Sequence, residues 1–230
     1  MERTTMPLTT SRKPIKLVET GFDTLYLSAV LLCALLLLLG SNAGSDRWQF
    51  GLMALILGTG DAFHLVPRIG AMWSKEPARY TALLGIGKLI ASITMTVFYV
   101  VLWHVGVKHY AHVFPGYMTI VVLVLAAMRI VLCLLPQNCW VSEAPPLKWA
   151  IWRNIPFFVL GMLAAALFAV GRLEGDAAFS YLWIAVLLSF ACYLPVVLFA
   201  SRYPKVGMLM LPKSSFYVAI VLVGFSLSGA

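Results

Sequence analysis

Residues 117–135 read YMTIVVLVLAAMRIVLCLL, an almost unbroken apolar run with one charged side chain, Arg129. A run of about 20 apolar residues is what an α-helix needs to cross the roughly 30 Å hydrocarbon core of a bilayer. Membrane β-strands are about half as long and alternate in polarity. The stretch therefore predicts a transmembrane helix. Its arginine predicts a polar site inside the bundle, because ionisable groups at membrane depth are costly and usually functional.

The rest of the chain has the same character. It has 230 residues, of which 61% are hydrophobic and 11% charged, whereas soluble domains average about 45–50% apolar and about 25% charged residues. We predict an all-α, polytopic membrane helix bundle with seven transmembrane helices. The first six predicted spans are residues 21–40, 48–66, 80–104, 117–135, 154–171 and 179–201. The seventh should begin at Val206, because a helix starting at Lys213 would be too short to span.

Two local signals shape these boundaries. Asn154 is a favourable N-cap for the fifth span and places Pro156 in the first helical turn. Pro195 should kink the sixth span. Ser41 and Ala43 also fit the small-x-small rule for signal-peptide cleavage, so removal of the first span is an alternative, although its apolar run is long for a signal peptide.

The distribution of basic residues predicts the orientation. Eleven of the 17 Lys and Arg residues lie on the N-terminal side of the predicted bundle, three lie on the opposite side, and three lie within spans. Basic loops mark the cytoplasmic face, so we predict an N-in, C-out protein of the inner (plasma) membrane. Residues 1–20 would form a basic cytoplasmic tail and residues 21–230 the transmembrane domain. Because these loops account for much of the net charge of +8, no nucleic-acid partner is expected.

The second span ends with LGTGDAFHLVPR, residues 57–68, which places Asp61 and His64 one helical turn apart on one face, with Arg68 four residues further on. Three basic side chains in other spans should lie at the same depth as Asp61, roughly 9–12 Å from the cytoplasmic side at 1.5 Å per residue. These side chains are Lys88, Arg129 and Lys213. Four helices that place charge in one layer predict a polar cavity open to the cytoplasm.

Further polar residues extend this layer. A stripe of Ser92, Thr96 and Tyr99 runs along the third span, and Tyr193 of the sixth span lies at similar depth. We expect Arg153, Asn154 and Arg202 at the mouth. The small-residue pairs Gly58–Ala62 and Gly87–Ala91 should bring the second and third spans together, with Asp61 paired to Lys88.

Three intramembrane cations then face one acid. An unbalanced cation at membrane depth costs at least about 2.5–3.5 kcal/mol, so a phosphate or carboxylate guest would restore the balance, and a lipid headgroup is the nearest candidate. The alternative is architectural: polar groups in spans also serve helix assembly, and Arg129 could extend to the headgroups.

Other sites are less favoured by the sequence. His64 could relay protons between Asp61 and the cytoplasm, or could simply bond a neighbouring helix. His104, His109 and His112 share an outer loop but need a further ligand to bind a metal. Lys213 lies too near the cytoplasmic end for a retinal Schiff base. No metal and no cofactor is predicted, and the four cysteines are expected to be reduced.

The segment GDAFHLVPR (residues 60–68), followed by IGKLIASITMTVFYVVLW (residues 86–103), resembles the lysoplasmalogenase-like (YhhN-type) membrane family. On that resemblance Asp61 would be the motif acid, with Ser92 and Tyr99 lining the pocket. The resemblance implies acid–base hydrolysis of a vinyl-ether lysophospholipid. Family members carry a second serine–aspartate motif late in the chain, where this sequence reads SFACYLPVV with Tyr193 in place of the acid.

The sequence therefore predicts a lipid-active protein that binds an anionic amphiphile among membrane lipids, with an ether hydrolase as its enzymatic form. The candidate catalytic residues are Asp61 and His64, and the candidate ligand-binding residues are Lys88, Ser92, Tyr99, Arg129, Tyr193 and Lys213. Two alternatives remain open: a transporter of a small organic anion, and a non-catalytic membrane sensor or assembly protein.

Overall fold

The computed structural model describes residues 12–142, 144–174, 179–200 and 202–229. Its seven α-helices are α1 (Arg12–Leu39), α2 (Asp46–Trp73), α3 (Thr81–His109), α4 (Tyr117–Leu134), α5 (Leu147–Gly171), α6 (Leu182–Phe199) and α7 (Met210–Leu222). Five short 3₁₀ segments occupy Pro77–Tyr80, Pro136–Asn138, Arg172–Glu174, Pro204–Leu209 and Val223–Ser226. The described residues contain helices and no strand, which confirms the predicted fold class.

All seven helical segments are long and apolar enough to cross a membrane, so the chain is a multi-pass membrane protein. The seventh span is the least regular. α7 has only 13 residues, but the 3₁₀ segments on either side extend it to a candidate span of 22 residues, Lys205–Ser226. The longer version of this span is therefore confirmed, and Lys213 lies within it.

Other boundaries differ from the predictions. Within the described residues α1 begins at Arg12, so residues 12–20 of the predicted tail are helical, while residues 1–11 lie outside the described part of the chain. α2 starts two residues early and continues through Pro67 to Trp73. An α-helix makes its own backbone hydrogen bonds, so it can continue beyond the apolar run into polar residues at the membrane surface. The hydropathy pattern therefore underestimated the lengths of α1 and α2.

The predicted start of α5 at Asn154 is wrong. α5 begins at Leu147, directly after Pro146, and Asn154 lies well inside it. The Asn154 side chain is not an N-cap, because its Nδ2 donates to the carbonyl oxygen of Ala150 at 2.8 Å. Pro156 is therefore an interior proline, which membrane helices tolerate when neighbouring helices support the backbone.

Small residues hold α2 against α3, as the sequence predicted for Gly87. A Cβ on Gly87 would lie 2.1 Å from the backbone oxygen of Phe63, and one on Gly60 would lie 1.9 Å from Thr94 Oγ1. Gly58 instead packs on α1, since its Cβ would lie 2.8 Å from Leu31. α2 therefore lies between α1 and α3.

Hydrogen bonds at the two ends of the bundle show which chain segments lie at each end. At one end, Asn42 N–H donates to the oxygen of Gly229 at 2.9 Å, and Asp46 accepts from Lys108 Nζ at 2.8 Å. At the other end, Lys16 Nζ donates to the oxygen of Met72 at 2.7 Å. The first and last described residues therefore lie at opposite ends of the bundle, as seven spans require. Which end faces the cytoplasm stays a prediction from the basic loops.

Candidate functional site

A cavity of about 530 Å³ opens among the helices. All seven helices contribute to its wall, and so do the α4–α5 and α6–α7 connections, through Trp140, Pro145 and Gly207. These connections are on the same side of the bundle as the start of α1, the side that the basic residues predict to be cytoplasmic. Seven of the eight predicted site residues line the cavity: Asp61, His64, Lys88, Ser92, Arg129, Tyr193 and Lys213.

Tyr99, the eighth, does not line the cavity, so its predicted place in the pocket is wrong. Its side chain is fully buried, with its hydroxyl 3.2 Å from the hydroxyl of Tyr217 and 3.5 Å from Ser189 Oγ. The ring packs edge-on against Phe157 with centroids 5.2 Å apart. Tyr99 therefore belongs to a hydroxyl and aromatic cluster in the bundle core. Ser92, two turns earlier, still reaches the cavity.

Asp61 is not paired with Lys88. Among the described residues, no ion pair joins the two, and Asp61 Oδ2 instead accepts a hydrogen bond from the hydroxyl of Tyr26 at 2.6 Å. α1 packs against the face of α2 that lies opposite α3, so the Asp61 carboxylate can point towards α1. The sequence analysis did not predict Tyr26 as a site residue. Glu19, Asp23 and Tyr26 share one face of α1 at spacings of four and three residues, and this polar stripe was the signal that could have identified it.

A second carboxylate lies in the cavity wall. Asp23 lines the cavity, is 3% exposed and lies 3.6 Å from Arg68 Nη1. Arg68 also forms an ion pair with Glu19 at 2.8 Å. The expected count of one acid in this layer is therefore wrong: Asp23 and Asp61 both line the cavity, and their charges interact.

Lys213 is the most isolated cation of the cavity. It is only 6% exposed, and within the described chain no acceptor or carboxylate forms a hydrogen bond or ion pair with it. Its Nζ lies 4.8 Å from the ring centroid of Tyr217 and 5.4 Å from that of Tyr193. Asp61 acts on it electrostatically from beyond ion-pair distance. The aromatic faces therefore supply part of the stabilisation that water would give.

Arg129 is anchored much more firmly. It is 2% exposed, and its guanidinium lies 3.5 Å from the ring centroid of Phe157. Its Nη1 donates to Asn154 Oδ1 at 3.2 Å, and the same oxygen accepts from the Tyr193 hydroxyl at 2.8 Å. The Nε of Arg129 is buried and has no acceptor within residues 12–142, 144–174, 179–200 and 202–229. Asn154, predicted at the mouth, is thus a buried bridge between Arg129 and Tyr193.

Two more basic residues lie at the cavity. Lys88 is exposed and has no hydrogen-bonding or ion-pair partner in the described chain. Arg153 donates to Asn138 Oδ1 at 2.8 Å and stacks 4.2 Å from the ring centroid of Trp140. Arg202, also predicted at the mouth, is not among the lining residues.

The remaining predicted polar groups differ in availability. The Ser92 hydroxyl donates its proton to the carbonyl oxygen of Lys88 at 2.7 Å, so it can only accept a hydrogen bond from a ligand. His64 Nδ1 is buried and has no hydrogen-bond partner in the part of the chain that the structure describes. A proton relay through His64 stays a prediction.

The described residues hold no group of three or more His, Cys, Asp or Glu side chains suited to a metal. His109, predicted in a loop, is the last residue of α3, and its Nε2 lies 2.7 Å from Asp46 Oδ2. The four cysteines are free thiols.

The cavity therefore has a cationic wall in which five basic side chains, Arg68, Lys88, Arg129, Arg153 and Lys213, accompany two carboxylates. Comparison with family models, with curated proteins and with solved structures finds no match. The lysoplasmalogenase-like resemblance is not tested by these comparisons and stays a prediction.

Proposed function

We propose that this membrane protein binds the anionic headgroup of a lipid-like amphiphile in its cationic cavity. The observation that carries the proposal is Lys213, a nearly buried ammonium that lines the cavity and has no acceptor among the described residues. A cation at membrane depth is unfavourable unless it is paired, and a bound anion would supply the missing pair.

The rest of the wall suits an amphiphile better than a small soluble anion. Beside the charged groups, the lining includes Leu65, Met95, Val196, Val197 and Met210. Specific pockets combine a mostly apolar wall with a few convergent polar groups. An acyl or alkyl chain could lie along these side chains while its headgroup meets the basic residues.

Mass spectrometry of co-purifying molecules tests this proposal. We expect a specific anionic amphiphile with the wild type and its loss in Lys88→Ala. The matched control is Lys75→Ala, which removes the same charge from an exposed residue outside the cavity. The same non-specific lipid in all three proteins would refute the proposal, and a water-soluble anion in place of a lipid would favour the transporter.

A second candidate function is hydrolysis of the bound amphiphile, because two carboxylates line the cavity. Acid–base hydrolysis needs one group that donates a proton and one that accepts it. The late-chain acid of the resembled family is absent, but Asp23 supplies a second carboxylate from α1 that interacts with Asp61. Asp61 would be the acid–base residue, with His64 beside it.

Asp61→Asn separates the two functions. We expect the variant to retain ligand binding, because the amide is isosteric and the cavity cations are unchanged, and to lose turnover of a vinyl-ether lysophospholipid. Release of the aldehyde product is the assay. Full turnover in Asp61→Asn would refute the hydrolase.

The cytoplasmic opening of the cavity can be tested through Cys139. This thiol is exposed in the connection after α4, on the same side as Trp140, which lines the cavity. A membrane-impermeant maleimide should label it in inside-out vesicles and not in right-side-out vesicles. Cys139→Ser is the control for labelling of the other three cysteines. The reverse pattern would show that the cavity opens outward.

A further inference from the structure

The charges of the cavity indicate which kind of anion it binds, an inference that rests on the proposed function. Arg68 is already balanced, because it forms ion pairs with Glu19 and Asp23. Asp61 is the remaining carboxylate in the wall, and it acts on Lys213 from a distance. Three carboxylates, Glu19, Asp23 and Asp61, thus accompany the five cavity cations in the described chain, which leaves a surplus of two positive charges.

The surplus of two positive charges lies on cations that form no ion pair among the described residues. Within the described chain, Lys88, Arg129 and Arg153 form no ion pair. The positive charges of Arg153 and Arg68 also repel the ammonium of Lys88. The surplus is therefore larger than one negative charge can neutralise. A monoanionic ligand would leave one positive charge of this surplus in place.

Unused N–H groups point to the same conclusion. Arg129 Nε is buried without an acceptor, and neither Lys88 nor Lys213 has an acceptor among the described residues. A lysine ammonium carries three donors, and these three side chains come from α3, α4 and α7. An anion that serves them all needs several oxygens that point in different directions.

We propose that the cavity selects a phosphomonoester headgroup over a phosphodiester. A phosphomonoester carries about −1.5 to −2 charges at pH 7 and three strong acceptor oxygens. A phosphodiester carries a single negative charge and two free oxygens, and a zwitterionic headgroup would add a cation to a wall that already has a surplus. The ligand would thus be a lipid that ends in an unsubstituted phosphate.

Binding to the full chain in neutral phosphatidylcholine nanodiscs tests the proposal. The probes are a 1-acyl-glycerol 3-phosphate, its methyl phosphodiester with the same acyl chain, and glycerol 3-phosphate, which lacks the chain. We expect the monoester to bind about tenfold tighter than the methyl diester, the ratio given by about 1.4 kcal/mol from one further hydrogen bond to a charged group.

Lys88→Met and Lys213→Met should each reduce this preference, and Lys75→Met should leave it unchanged. Lys88 is exposed, so Lys88→Met keeps the test valid if Lys213→Met fails to fold. Equal binding of the two lipids would overturn the inference and leave the proposed function standing. Binding of neither lipid would overturn both. If glycerol 3-phosphate competes as strongly as the lipid monoester, phosphomonoester recognition stands and the amphiphile is overturned.

Discussion

Replacing Lys213 by methionine should make the ligand-free protein more stable. The ammonium is 6% exposed and has no acceptor among the described residues, so its burial should cost about 2.5–3.5 kcal/mol, as on insertion scales. The aromatic faces of Tyr217 and Tyr193, 4.8 and 5.4 Å away, together return about 2 kcal/mol, the magnitude of a desolvated cation–π interaction. The attraction of Asp61 returns a part of the rest. Methionine keeps the length and the apolar contacts, so we expect a gain of about 1 kcal/mol.

The assay is thermal unfolding of delipidated wild type and Lys213→Met in the same detergent. A gain of about 1 kcal/mol should raise Tm by about 2–4 °C for a chain of this size. Adding the anionic amphiphile should stabilise the wild type and not the variant, which reverses the order of the two proteins. Lys75→Met, at an exposed position, controls for loss of charge alone. If delipidated Lys213→Met is less stable than the wild type by 1 kcal/mol or more, Lys213 is a structural residue, and its burial is not a cost that a ligand must offset.

Two further variants test the contacts around the cavity. Tyr26→Phe removes the hydroxyl that donates to Asp61 at 2.6 Å. We expect the free energy of unfolding to fall by about 1.5–3 kcal/mol, because a hydrogen bond to a charged group is lost. An unchanged free energy of unfolding in a denaturant titration would contradict this hydrogen bond. Gly87→Ala would place a Cβ 2.1 Å from the backbone oxygen of Phe63, so α2 and α3 must separate, and we expect a loss of about 1–3 kcal/mol. Gly116→Ala, with nothing within 4 Å of its Cβ, should leave Tm unchanged, and equal Tm values for both glycine variants would refute the close contact.

The grouping of four charged residues around one cavity was predictable from the sequence. A helix rises about 1.5 Å per residue, so counting from the span ends predicted one layer for Asp61, Lys88, Arg129 and Lys213, and all four line the cavity. Seven spans and the membrane class followed from apolar run length, which depends on no tertiary contact.

Rotation about each helix axis and the choice of neighbours were not predictable in this way. The expected Asp61–Lys88 pair assumed that Asp61 faced α3, but α2 also packs on α1, which offers Tyr26 at 2.6 Å. Tyr99 shares a stripe with Ser92, yet it contacts Ser189 and Tyr217 in the core. Which element lies beside which depends on packing between helices distant in sequence, and one sequence does not contain that information.

The five cavity cations also differ in how firmly the described bundle holds them. Arg129 and Arg153 make the contacts expected of structural residues, since each stacks on an aromatic ring and donates to an asparagine oxygen. Arg68 is held by carboxylates of α1. Lys88 and Lys213 have no such partners in the described chain. Assembly of the helices therefore explains most contacts of the three arginines, apart from the unpartnered Nε of Arg129, and it explains no contact of the two lysine ammonium groups. At the buried position of Lys213, an architecture that needed only stability would favour an apolar residue, and this is the feature that the proposed anion site accounts for.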